Sequence, residues 1–95
     1  MESFNKQPSE KFKIEIDFSN LITSPETISS IDVKAYLFST DVTSTVIDTS
    51  SYTGTSIYVT VKSGTDGLTY KITVKATTST GNIFEYDVNM IVKDE

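Results

Sequence analysis

Hydrophobic alternation with a period of two recurs along this chain, and no segment shows a helical period. Lys11 to Phe18 is the clearest case: Phe12, Ile14, Ile16 and Phe18 fall on one face, with Lys11, Lys13, Glu15 and Asp17 on the other. Such alternation is the mark of a half-buried strand. It returns in Ile31 to Phe38, where Ile31, Val33, Ala35 and Leu37 oppose Asp32, Lys34, Tyr36 and Phe38. Aromatic or aliphatic residues on both faces near Tyr36 suit either a more central strand or a strand end covered by a loop. Ile57, Val59 and Val61 alternate with Tyr58, Thr60 and Lys62. From Thr69 to Thr78, Tyr70, Ile72, Val74 and Ala76 point inward. From Ile83 to Val92, Phe84, Tyr86, Val88, Met90 and Val92 share a face.

Turn chemistry separates these runs. Ser24-Pro25-Glu26 and Ser79-Thr80-Gly81 are turn signals, and Ser63 to Gly67, with Gly64, Asp66 and Gly67, is the strongest. Gly64, Gly67 and Gly81 are therefore read as turn residues. A weak short strand is expected at Thr45 to Asp48, and Thr49 to Thr55 reads as a Ser/Thr/Gly loop. Leu21 and Ile22 are expected to plug one end of the core. The polar stretch from Met1 to Glu10 reads as a flexible N-terminal arm (residues 1–10) or a first edge, leaving residues 11–95 as a single domain. Six or seven short strands at this spacing predict an all-β, immunoglobulin-like β-sandwich of antiparallel strands.

Composition excludes more than it assigns. The 95 residues contain no Cys, so disulfides, thiolate metal sites and Cys nucleophiles are out. There is also no His, which removes the commonest general base and transition-metal ligand. The net charge is −5 and all eight basic residues are scattered Lys. A charged groove for nucleic acid is not expected, nor is an anionic membrane surface as partner. No apolar signal segment and no run of membrane-spanning length is visible.

The remaining chemistry is thin. Asp41, Asp48, Asp66, Asp87 and Asp94 lie in or near loops, but none has the spacing of a Ca²⁺ loop, so they read as solvated carboxylates. Glu26 and Glu85 could be paired as glycosidase carboxylates only arbitrarily. Ser residues lack a His base, and no G-x-S-x-G elbow appears. Gly64-x-x-Gly67 has no following Lys-Ser/Thr and opens no helix, so it is not a phosphate cradle. Neither catalytic, cofactor nor metal-binding residues are expected, and the chain is read as a non-enzyme. Tyr52 and Tyr58 suit a binding face, the core or a rim. Tyr70 has two readings. In immunoglobulin-like folds a Tyr near the start of the sixth strand bonds back to the backbone upstream, two residues before a Cys position. Tyr70 would be that corner and Ile72 would fill the Cys position with hydrocarbon. Alternatively, Tyr70 is a simple cross-strand aromatic.

Five short segments carry a family resemblance. They are Lys6 to Glu10; Asp17-Phe18-Ser19-Asn20-Leu21; Glu26-Thr27-Ile28-Ser29-Ser30; Ser63-Gly64-Thr65-Asp66-Gly67-Leu68-Thr69-Tyr70; and Thr77-Thr78-Ser79-Thr80-Gly81 with Val88 to Val92. In this the chain resembles short phage virion-associated proteins with an immunoglobulin-like fold, labelled phage fiber-tail adaptor proteins. It departs from their pattern in having no Trp after the Ile-Ser-Ser stretch, Ser63 for the first turn Gly, and Asn82 where an Arg is common. The resemblance implies a non-catalytic structural protein of a phage or prophage virion, at the tail, fiber or head-decoration level. Other virion proteins, and further copies of the chain, would be its partners. It would reside in the virion, or in the bacterial cytoplasm before assembly. The alternative from another class is a carbohydrate- or cell-surface-binding module.

Overall fold

A computed structural model describes residues 2–94. The strands in chain order are β1 (Glu2–Lys6), β2 (Phe12–Asp17), β3 (Ile28–Leu37), β4 (Thr40–Asp41), β5 (Ile47–Thr53), β6 (Ser56–Val61), β7 (Thr69–Thr78) and β8 (Ile83–Val92). One short helix, α1 (Thr43–Val46), lies between β4 and β5. The strands form two packed sheets, one of order β1-β8-β7-β3-β4 and one of order β2-β6-β5. The arrangement is a sandwich. The second, fifth and sixth strands share one sheet, while the first, third, fourth, seventh and eighth share the other.

The alternating residues build the core as their periodicity dictates. Ile57, Val59, Val61, Ile72, Val74, Ala76 and Met90 are all fully buried. Ile72 lies opposite Ala35 on one side and Val88 on the other, at the centre of the larger sheet. Each buried Val or Ile side chain contributes about 1.5–3 kcal/mol through removal from water.

The expected strand directions need one change. β1 pairs with β8 in parallel, from Glu2 beside Val88 to Lys6 beside Val92. All other pairings are antiparallel. The first five described residues thus form an edge strand, the second of the two readings of this segment. The expected strand at Thr45 to Asp48 is instead one helical turn followed by the start of β5. Asp41 causes this locally: its Oδ1 accepts both the N–H and the hydroxyl of Thr43, turning the chain, and Val46 drops into the core. The stretch read as a Ser/Thr/Gly loop is mostly β5, held to β6 through Thr53 beside Ser56. Phe38, read as a strand residue, sits outside β3 at φ +58° and is 88% exposed. Of the expected core plug, Ile22 is buried but Leu21 is 55% exposed.

Candidate docking surface

Two ends of the sandwich hold the residues singled out from sequence. At one end lie Gly64, Gly67 and Tyr70. Tyr70 is buried, and its hydroxyl accepts the N–H of Thr65 at 3.0 Å. The partner is backbone five residues upstream, the kind of bond the corner reading requires. Gly64 has φ +99°, and a Cβ there would lie 2.8 Å from Val92 Cγ2. Only a residue without a side chain lets the turn close on β8. Gly67 N–H donates to Val92 O at 2.9 Å, and Val92 N–H donates to Leu68 O at 3.0 Å, so the turn is laced to the last strand. Gly81 lies at the opposite end, in the β7–β8 hairpin, where its N–H donates to Thr78 O at 3.0 Å.

A buried cation completes the first end. Lys6 is 1% exposed, and its Nζ donates to the carbonyls of Ser63 at 2.6 Å, Gln7 at 2.8 Å and Pro8 at 3.2 Å. Three donors thus meet three acceptors, which satisfies a Lys ammonium completely. Burial still lowers the Lys6 pKa from its ordinary value, and the nearby Glu10 carboxylate counters that in part. This group ties β1 to the β6–β7 turn. Sequence reasoning passed over it because Lys is almost never fully buried unless paired, and here its partners are backbone. The only local signal is that Lys6 shares a strand face with Phe4.

At the hairpin end, two of the short family-like segments meet. The Glu26 carboxylate accepts from the hydroxyls of Thr78 and Thr80 and from Asn82 Nδ2 at 3.0 Å. The Thr78 and Thr80 hydroxyls lower the Glu26 pKa below the usual carboxylate range; loss of hydration opposes them, and the Asn82 amide adds a smaller lowering. Ser79 N–H donates to Thr27 O at 2.8 Å, and Ser29 Oγ donates to Thr77 O at 3.1 Å. Tyr52 Oη donates to Ser29 O at 2.6 Å, stitching β5 to the opposite sheet. Tyr58 is half-buried on the outer face of the smaller sheet, with the Lys13 ammonium 5.8 Å from its ring centre.

The loop carboxylates do not converge. Asp41 holds Thr43, Asp48 pairs with Lys11 at 3.0 Å, Asp87 pairs with Lys71 at 3.7 Å, and Asp66 accepts the N–H of Asp94 at 3.0 Å. Among the described residues no group of three metal-ligating side chains lies together. Glu26 is committed to its hydroxyl and amide donors.

What the molecule presents outward is strand edge and apolar surface. α1 packs on β3 and β5 with Val46 buried between the sheets, so that side of the sandwich is shut. The opposite side, between β1 and β2, is open. One stretch is bridged by Phe4 and Phe12, whose rings meet edge to face at 5.9 Å. Beyond it lies a groove of about 560 Å³ floored by Ile14, Ile16, Phe18, Val88 and Tyr86. Burial, then the neighbouring Glu2, pushes the Tyr86 phenol up. Elsewhere Phe38 stands exposed after β3, and Ile83 at the start of β8.

A search of curated proteins matched none of them. A family of phage proteins does match: residues 6–91 fit the family described as Podophage GP4 fiber-tail adaptor protein gp77. That span takes in β2 to β7, nearly all of β8, the Lys6 anchor and both ends of the sandwich, and the chain belongs to this fiber-tail adaptor family.

Proposed function

We propose that the chain is a non-catalytic adaptor of a phage or prophage virion that joins tail and fiber components by docking of protein on protein. The observation that carries this reading is the family match over residues 6–91, combined with a surface of free strand edges and an open apolar side. A sandwich with its sheets tied at both ends is a rigid spacer. Its free edges offer main-chain hydrogen bonds to neighbouring subunits. Other virion proteins, with further copies of the chain, are the partners, and the virion is the site of residence. Among the described residues no helix is long and apolar enough to cross a membrane. The carbohydrate-binding alternative requires exposed aromatics converging on one patch. The exposed aromatics here, Phe38 and Tyr52, stand on different elements, and Tyr52 spends its hydroxyl on Ser29.

Mass spectrometry of purified virions of the source phage, followed by localisation of the chain by electron cryomicroscopy, tests the reading. Density for the chain between tail and fiber is the expected result. Absence of the chain from purified virions overturns it.

A further inference from the structure

The open side of the sandwich has a polarity that specifies what enters it. Phe18 N–H donates to Thr55 O at 2.9 Å, which fixes the phase of the antiparallel β2–β6 ladder. Bonding residues alternate along such a ladder. Phe12, Ile14 and Ile16 therefore spend their backbone groups on β6, and Lys13, Glu15 and Asp17 turn theirs to the open side. The same logic applies to β1. Lys93 N–H donates to Lys6 O at 2.9 Å, so Ser3 and Asn5 direct their peptide groups away from β8. Two unpaired edges therefore flank one apolar groove.

We propose that this groove accepts an extended segment of a partner protein, added as a strand to the free edge of β2. The inference rests on the adaptor reading and names the surface that would do the docking. A strand laid along β2 alternates its side chains between groove and solvent. Those facing inward meet Ile14, Ile16, Phe18 and Val88, so they are apolar. Those facing outward stand beside Glu15 and Asp17, and toward the start of β2 beside Lys13, whose ammonium lies 5.8 Å from the Tyr58 ring centre. Among the described residues the acidic groups around the groove are Glu2, Glu15 and Asp17, and no Lys lines it. Opposite charges across neighbouring strands attract and like charges repel. The inserted segment is therefore basic on its outer face where it runs beside Glu15 and Asp17, the part of β2 that lines the groove. Apolar–basic alternation over about the length of β2, six residues, is its signature. The other free edges lack this combination. β5 is exposed along nearly its whole length, and β4 has only two residues.

The test uses the full chain, labelled with ¹⁵N, and a peptide of alternating Ile and Lys as long as β2. A second peptide, alternating Ile and Glu, is the comparison. The expected result is that the Lys peptide slows amide exchange at Lys13, Glu15 and Asp17 by about tenfold while the Glu peptide does not. The double variant Glu15→Lys/Asp17→Lys, changed only at exposed positions, is expected to lose the effect. Failure of both peptides to protect these amides overturns strand addition. Equal protection by both overturns the basic partner. Protection that grows with protein concentration in the absence of peptide makes a second copy the occupant and likewise overturns the proposal. Presence of the wild-type chain in virions is read separately, so the adaptor reading can stand while the groove assignment falls, or the reverse.

Discussion

Gly64→Ala separates two costs that this fold imposes on one position. The first is conformational. At φ +99° an L-residue is strained, at about 1–2 kcal/mol. The second is steric. The new methyl would sit 2.8 Å from Val92 Cγ2 and 3.4 Å from Tyr70 Cε2. Val92 is 1% exposed and β-branched, so it has little rotamer freedom with which to move aside. Overpacking of this kind costs about 1–3 kcal/mol. The sum is about 2–5 kcal/mol, a large part of the stability of a small domain. Gly67→Ala is the internal reference. Its φ is +87°, but nothing lies within 4 Å of a Cβ built there, so it bears the conformational cost alone. Urea denaturation followed by circular dichroism measures both variants. Gly64→Ala is expected to be the less stable by the steric component, with a melting temperature lower by roughly 4–8 °C per kcal/mol. Equal destabilisation of the two variants would refute the close approach of the turn to β8.

Three further predictions rest on other sites. Phe38→Asn is expected to stabilise the fold by about 0.5–1 kcal/mol, because Asn tolerates the left-handed backbone that Phe38 occupies and an 88% exposed ring contributes little packing; thermal melting checks it. Lys6→Met leaves the Ser63 and Pro8 carbonyls without their donor and is expected to cost about 1–3 kcal/mol in urea denaturation. Because the native Lys6 pKa is lowered, the native state loses this proton first as pH rises; over the window between the native and ordinary values the unfolded chain binds more protons, so the wild type gains stability from this group and Lys6→Met does not. Glu26 acts with the same sign in a more acidic window. Its lowered pKa supplies stability above the ordinary carboxylate range that is lost as pH falls through the native value; acid titrations of stability should show this loss in the wild type and not in Glu26→Gln.

Much of this molecule was legible where a strand has one buried face. β7 and β8 run from Thr69 to Thr78 and from Ile83 to Val92, as their alternation predicts, and Tyr70 and Ile72 lie buried on the inward face. β5 was illegible for the converse reason. Its residues from Asp48 to Thr53 are all exposed, so its order comes from main-chain bonds to β6, which leave no hydrophobic pattern. Phe38 misleads because its aromatic character continues the alternation of β3 into a turn. Lys6 reads as a surface charge, and only its three carbonyl partners make it a core residue.

By itself, then, the chain's period-two pattern determined that it folds as β structure and which side chains face inward, because burial of alternate residues is a local property of each strand. The absence of His and Cys likewise removed whole classes of chemistry before any fold was considered. Tertiary structure alone decided the parallel pairing of β1 with β8, the meeting of Glu26 with the β7–β8 hairpin, and the closure of one side of the sandwich while the other stays open. Those features depend on backbone groups and on residues more than fifty positions apart in the chain, such as Glu26 and Asn82. Such contacts are chosen by how the sheets stack, and no short stretch of sequence encodes that.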